Sequence, residues 1–188
     1  ITVPAVVKHG IVGSAANIDA SWIGVDADRL FTDTLGRPVT VMNDADAAGY
    51  AEVRLGAAAG QNGLVIVATL GTGIGTALVY DGVLVPNSEL GHLEIDGHDA
   101  ETRAANAVRE RKGLSYKDWA ERLTRYFGEL EKLFSPDLFV VGGGVSKHAD
   151  RFLPLIDVET RLVPATLLNK AGIVGAALLA SEASQRTG

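Results

Sequence analysis

The alternation of apolar and polar positions divides the chain into short strands and helices. Residues 2–7 read as a strand, and "KHGIV" at 8–12 as a turn leading to a second short strand. Residues 13–24, "GSAANIDASWIG", form a small, polar loop with Trp22 as its anchor. A helical pattern over 26–35 stops at Gly36. "RPVTVMN" at 37–43 is a β-branched strand pattern, followed over 44–58 by a helix of mostly small residues. "GLVIVATL" at 63–70 is a continuous apolar run of buried-strand length. "TALVYDGVLVP" alternates around Asp81-Gly82, a strong hairpin signal. Residues 99–112 read as a polar helix with Asp99 at its N-terminal end. A longer helix begins at Ser115, with Trp119, Leu123, Tyr126, Phe127, Leu130 and Phe134 on its apolar face, and Pro136 ends it. "DLFVVGGGVS" is strand, glycine turn and helix start, and 171–183 a final buried helix. The pattern is α/β, with hairpins as well as helices between strands. There is no internal repeat and no low-complexity segment.

Composition narrows the class. A chain of 188 residues suits one large domain or two small lobes, and such a chain buries roughly 70% of its unfolded surface. The net charge of −6 argues against nucleic-acid binding, which depends on neutralising phosphates. With no cysteine, disulfides, thiolate catalysis and Cys-ligated zinc are excluded, and a reducing, cytoplasmic compartment fits. No apolar run reaches the ~20 residues that span a bilayer, so no membrane partner is expected. The chain begins "ITVPAVVKHG", without Met and inside a strand pattern, which predicts a further N-terminal segment.

Four segments carry candidate chemistry. In "TLGTGIGTALVY", Gly71, Thr72 and Gly73 lie between two strands. A dinucleotide fingerprint would need a helix there, and a Walker loop would need Gly-Lys-Ser/Thr. What remains is a hairpin that either merely turns or cradles an anion on its backbone N–H groups and the Thr72 hydroxyl. In "VVGGGVS", Gly142, Gly143 and Gly144 sit between a buried strand and a helix, suited either to ligand approach or to tight packing. "NSELGHLEIDGHDAE" is dense in Glu, Asp and His. One imidazole without an H-E-x-x-H spacing is weak evidence for zinc. The other readings are a hydrogen-bonding surface for a polyhydroxylated ligand and a solvated loop. His9, His98 and His148 have no such company and read as surface or packing residues. In "VTVMNDADAAGYAE", Asp44 suits a helix N-cap and Asp46 a first-turn residue favoured by the helix dipole. The following glycine hairpin and polar loop favour a kinase-like set, in which an Asp serves as base at a hydroxyl.

Together, "VMNDADAAGYAE", "TLGTGIGTALV", "NSELGHLEIDGHDAE", "DLFVVGGGVS" and "AGIVGAALLA" resemble the ROK sugar-kinase family, in particular its polyphosphate glucokinase branch, over nearly the whole chain. The resemblance implies a two-lobe α/β fold of the actin-like ATPase (ribonuclease H-like) type. Residues 1–46 would belong to an incomplete N-terminal lobe holding the sugar loop and catalytic Asp, and 47–188 to the C-terminal lobe. It implies phosphoryl transfer from polyphosphate or ATP, with Mg²⁺, to the 6-hydroxyl of glucose or mannose, in a homodimer. Asp44 would be the general base, Asn43, Glu89, His92, Glu101 and Asn17 the sugar-side residues, and Gly71, Thr72 and Gly73 the phosphate loop. Gly142, Gly143 and Gly144 would lie on the adenosine side.

Two departures stand out. The Cys-rich zinc motif of most ROK kinases is absent, so no metal is expected beside His92, a trait of the polyphosphate branch. The family's first Asp-x-Gly-Gly phosphate hairpin is also absent from these residues, which predicts little or no activity for the chain as it stands. A ROK-type sugar-responsive repressor and an inactive sugar-binding fragment are the rival readings. Arg103, Arg109, Arg111, Lys112, Lys117, Arg122 and Arg125 either form a track for a polyanion or lie on a solvated helix face.

Overall fold

The computed structural model describes residues 1–16 and 18–186. The chain opens with β1 (Thr2–Val3), β2 (Val7–Lys8), β3 (Ile11–Val12), α1 (Ala27–Leu35), β4 (Met42–Asn43) and α2 (Asp44–Leu55). It continues through β5 (Leu64–Leu70), β6 (Ile74–Tyr80), β7 (Val83–Val85), β8 (Glu94–Ile95) and β9 (His98–Asp99). Three helices follow: α3 (Glu101–Ala104), α4 (Asn106–Lys112) and α5 (Tyr116–Phe134). After them come β10 (Leu138–Gly142), β11 (Leu162–Pro164) and α6 (Ala171–Arg186).

The main sheet has the order β11-β10-β5-β6-β7. β10 runs parallel to both neighbours, whereas β5, β6 and β7 form an antiparallel meander. Alternate residues of β5 serve two cores. Ile66, Ala68 and Leu70 face the cluster around α5, while Val65 and Val67 pack with Val53 and Ala58 on the α2 side. Burial on both faces is why this segment reads as an unbroken apolar run. On α5, Trp119, Leu123, Tyr126, Phe127 and Leu130 are buried, as their spacing predicts. The Trp119 indole N–H donates to the Ala104 carbonyl at 2.8 Å. A third cluster, built on Val3, Val7, Val12, Ala27 and Val41, belongs to the N-terminal segment, and Trp22 stacks on Phe31 beside it.

Several expected elements are shorter than their pattern, some cut by a single residue and some by contacts from another element. The strand expected over 2–7 breaks at Pro4, which has no N–H for a ladder. Of the strand expected over 37–43, only β4 pairs, in parallel with β1. The Val39 and Val41 N–H groups donate instead to Thr32 Oγ1 (3.1 Å) and Asp28 Oδ1 (2.6 Å) of α1. α2 stops at Leu55 because Gly56 leaves helical geometry.

The helix expected over 99–112 is two helices, broken at fully buried Ala105, whose ψ is 149°. The Ala107 N–H donates to the Gly71 carbonyl at 3.0 Å, so the break ties α4 to the glycine hairpin. The glycine turn after β10 opens a 3-10 stretch, Gly144–Arg151, instead of an α-helix. α6 is half-exposed where a buried helix was expected, with Ile173 78% exposed. The β8–β9 hairpin and β11 were not expected at all.

Glu52 ties α2 to the segment after β11. It is 1% exposed, and its carboxylate accepts from the N–H groups of Ala57, Thr166 and Leu167 at 2.7–3.1 Å. Glu52→Ala strands those donors. Urea unfolding at pH 7 should show a loss of about 3 kcal/mol, and Glu52→Gln, which keeps an acceptor oxygen, a smaller one.

Candidate active site

The strand-to-helix turn at the end of β4 is organised by Asn43, not by Asp44. Asn43 Oδ1 accepts from the N–H groups of Ala45 (2.8 Å) and Asp46 (3.1 Å), which makes Asn43 the N-cap of α2. Its Nδ2 donates to the Ala5 carbonyl at 3.2 Å. The capping role expected for Asp44 is therefore filled by its neighbour. Asp44 occupies the first helical position, and its carboxyl lines a cavity of about 380 Å³. Water reaches it there, but the surrounding walls desolvate it enough to push its pKa above the ordinary carboxylate value. The first-turn N–H groups of Ala45 and Asp44 oppose the shift.

Every other described sugar-side and hairpin residue expected from the sequence lines the same cavity: Asn43, Glu89, His92, Glu101, Gly71, Thr72 and Gly73. Gly71–Gly73 form the three-residue hairpin between β5 and β6, closed by a Gly71 N–H to Gly73 carbonyl bond at 3.0 Å. Glu101 Oε2 accepts the Ile74 N–H at 3.1 Å, so a residue expected on the sugar side touches the phosphate hairpin. Gly91 lets the Glu89–His92 turn press onto β6, since a Cβ there would lie 2.0 Å from the Ile74 carbonyl oxygen. Asn17 lies outside the described residues. Ser14 and Ala16 of its loop do line the cavity.

A second cavity, of about 220 Å³, is lined by Gly142, Gly143, Ala165, Leu168 and Gly172. It shares Asp44, Ala45, Thr69 and Gly143 with the first, so the two meet at Asp44. Gly143 has φ +87°, and a Cβ there would approach the Leu70 carbonyl to 2.5 Å; glycine is required. Gly144 is exposed and lines neither cavity.

Burial, reinforced by the neighbouring carboxylates of Glu101 and Asp44, shifts Glu89 upward, and His92 opposes the effect. His92 Nδ1 lies 2.8 Å from Asp99 Oδ2, and its Nε2 is 3.9 Å from Glu89 Oε2. The Asp99 hydrogen bond is the main cause of an upward shift for the imidazole.

Asp46, expected only to favour the helix dipole, does more. It is 1% exposed, and its Oδ2 accepts the Asn87 N–H at 2.7 Å. Asn87 in turn exchanges two side-chain hydrogen bonds with the Val7 backbone. Asp46 Oδ1 meets no partner among the described residues. Residues 46, 87 and 99 lie in the segments singled out from the sequence, but their hydrogen-bond partners were not read there, although Asp96-Gly97 held the same hairpin signal as Asp81-Gly82.

Much of the basic run is engaged locally. Arg125 pairs with Asp96 and Glu129, and Arg109 lies over Tyr116 at 4.6 Å and bonds Asn106 and Glu110. No described helix is long and apolar enough to cross a membrane.

A five-stranded mixed sheet with a glycine hairpin, and two cavities meeting at a helix-leading Asp, define the class: the fold is the actin-like ATPase fold of sugar kinases. The family model for ROK matches residues 1–113. Polyphosphate glucokinase of Mycobacterium tuberculosis is 50% identical over 179 residues, spanning 95% of this chain and 68% of that protein. The inorganic polyphosphate/ATP-glucomannokinase from Arthrobacter sp. strain KM matches with a TM-score of 0.92 and 60% identity, over 96% of this chain and 71% of that one. A ROK family glucokinase from Streptomyces griseus, solved with glucose and AMPPNP, matches with a TM-score of 0.78 and 26% identity, over 94% and 78%. The chain belongs to the ROK family.

The Asp46 carboxyl is pushed up to about 6, mainly by burial, with the Asn87 N–H opposing and Glu89 and Asp44 reinforcing. Below its unfolded value of 3.8 both states hold the proton, and above about 6 neither does. Between these limits only the folded chain holds it, so this group's contribution to stability falls as pH rises through the window. Asp46→Asn should flatten the stability profile between pH 4 and pH 6 relative to the parent in chemical denaturation.

Proposed function

We propose that the protein transfers a phosphoryl group from inorganic polyphosphate or ATP to the 6-hydroxyl of glucose, with Asp44 as general base. The observation that carries this reading is the meeting of the two cavities at Asp44, which gives one carboxylate access to an acceptor on one side and a donor on the other. Glu89, His92 and Glu101 offer acceptors and a ring nitrogen to sugar hydroxyls, and Asn43 has one amide hydrogen beyond the one bonded to Ala5. Asn17 is kept as a further sugar-side residue.

As the bond from the sugar oxygen to phosphorus forms, the bond to the donor's bridging oxygen breaks and the hydroxyl proton passes to Asp44. A carboxylate with a raised pKa suits a proton arriving in the transition state. Backbone N–H groups of Gly71–Gly73 and the Thr72 hydroxyl are assigned to the phosphoryl oxygens. Gly142 and Gly143 are assigned to the adenosine side when ATP is the donor, and Gly144, which lines neither cavity, is left out.

Mg²⁺ is expected to neutralise donor charge. The carboxylates lining the donor-side cavity are Asp44 and Glu52, and both Glu52 oxygens already accept from N–H groups. These residues do not fit a resident metal cage, and no step is assigned to the ion. Mannose as a second acceptor, a homodimeric state, a cytoplasmic location and the division at 46/47 belong to the same proposal. A sugar-responsive repressor or an inactive sugar-binding fragment would use Glu89 and His92 but not require Asp44.

Glucose 6-phosphate formation by the full-length protein, with polyphosphate and ATP supplied separately, tests the reading. Asp44→Asn should lower turnover by about 10²–10⁴-fold, the usual share of a general base, while calorimetric glucose affinity changes little. Near-normal turnover removes Asp44 from its role. Glu89→Gln should weaken glucose binding roughly tenfold, the loss of one charge-assisted hydrogen bond. Unchanged affinity takes Glu89 off the sugar site.

A further inference from the structure

His92 and Glu101 stand on different elements, a 3-10 turn at Leu90–His92 and the start of α3, and a single side chain reaches both. Asp99, at the end of β9, places Oδ2 at 2.8 Å from His92 Nδ1, and its Oδ1 accepts the Glu101 N–H at 3.1 Å. Its backbone carbonyl accepts from the Thr102 hydroxyl at 2.6 Å, which fixes the turn from β9 into α3. We infer that Asp99 is a positioning residue for the sugar side: its two carboxylate oxygens set the orientation and tautomer of the His92 imidazole and the first residue of the helix that carries Glu101. The inference deepens the proposed function and rests on it.

The chemistry follows from which atoms are occupied. With Nδ1–H donated to a carboxylate, the neutral imidazole presents a bare Nε2, able to accept from a sugar hydroxyl. A flipped ring would set a carbon against Asp99 and forfeit that bond. The groups charged toward the imidazole are Asp99, Glu101 and Glu89, from β9, α3 and the preceding turn. On the other branch, the Glu101 N–H held by Asp99 is one of the first donors of α3. Its position sets where the Glu101 carboxylate meets Ile74 and the cavity. No side chain caps α3 from the residue before it, which leaves Asp99 as the support for that end.

The test uses the full-length protein and its Asp99→Ala, Asp99→Asn and Asp99→Glu variants. The His92 ring titration is followed by NMR, and glucose and polyphosphate affinities are measured by calorimetry. In Asp99→Ala the His92 midpoint should move down, and glucose binding should weaken roughly tenfold, as expected for loss of an oriented hydrogen bond. Polyphosphate affinity should fall much less than glucose affinity, because the Ala107 N–H still holds Gly71 from α4. Asp99→Asn, with one acceptor oxygen for two donors, should fall between, and Asp99→Glu should recover part of the glucose affinity. An unchanged His92 titration, or unchanged glucose affinity in Asp99→Ala, overturns the inference alone. Parallel weakening of glucose and polyphosphate binding also overturns it, because it marks general structural damage. A parent that binds no glucose overturns the kinase reading and this role with it.

Discussion

The Asn43 side chain is the constraint on which the site depends. One amide caps α2 through Ala45 and Asp46 and holds the N-terminal segment through the Ala5 carbonyl. A cap of this kind is worth about 1 kcal/mol, but its geometric consequence matters more than its energy. Because Asn43 satisfies the first N–H groups, Asp44 is released from capping and can face the cavity. One oxygen of Asn43 serves both N–H groups, so neither Asp44 oxygen is needed for the cap.

That release concentrates negative charge. Asp44, Asp46 and Glu89 are all shifted upward, with burial the largest cause in each. The site tolerates the crowding because each carboxylate has a separate compensation. The first-turn N–H groups support Asp44, the Asn87 N–H supports Asp46, and His92 supports Glu89. The helix N-terminus adds a favourable field for the two aspartates. Asp46 leaves one oxygen unpartnered among the described residues, and burial pushes its carboxyl up to about 6. Its hydrogen bond to Asn87 joins the α2 start to the Val7 backbone, which gives this costly burial a structural use.

What was legible in the sequence had a local cause. The β5 run, the Asp81-Gly82 hairpin and the Ser115-capped α5 each satisfy their backbone groups within a short window, so periodicity and turn chemistry specify them. Most of the cavity lining was legible as motifs, because Glu89, His92 and the hairpin glycines lie in compact segments. Apart from the breaks at Pro4 and Gly56, the failures are tertiary. The strand expected over 37–43 surrendered its N–H groups to α1 side chains, and the helix over 99–112 broke where Ala107 was claimed by Gly71. Asp46 gains its partner only when separate elements meet, and the Asp99 link to His92 forms only once the β8–β9 hairpin folds back.

The most consequential of these long-range contacts joins the two halves of the proposed chemistry. Glu101 Oε2 accepts the Ile74 N–H at the base of the glycine hairpin, while α4, beyond the break at Ala105, donates the Ala107 N–H to Gly71. The hairpin is therefore held at both sides of its turn by two consecutive helices, α3 and α4. A sugar hydroxyl bound by Glu101 would use its other oxygen and leave the Ile74 bond in place. Sugar and phosphate subsites built this way share their supports, so the distance between acceptor oxygen and phosphoryl group depends on one side-chain bond, Glu101 to Ile74, and one backbone bond, Ala107 to Gly71.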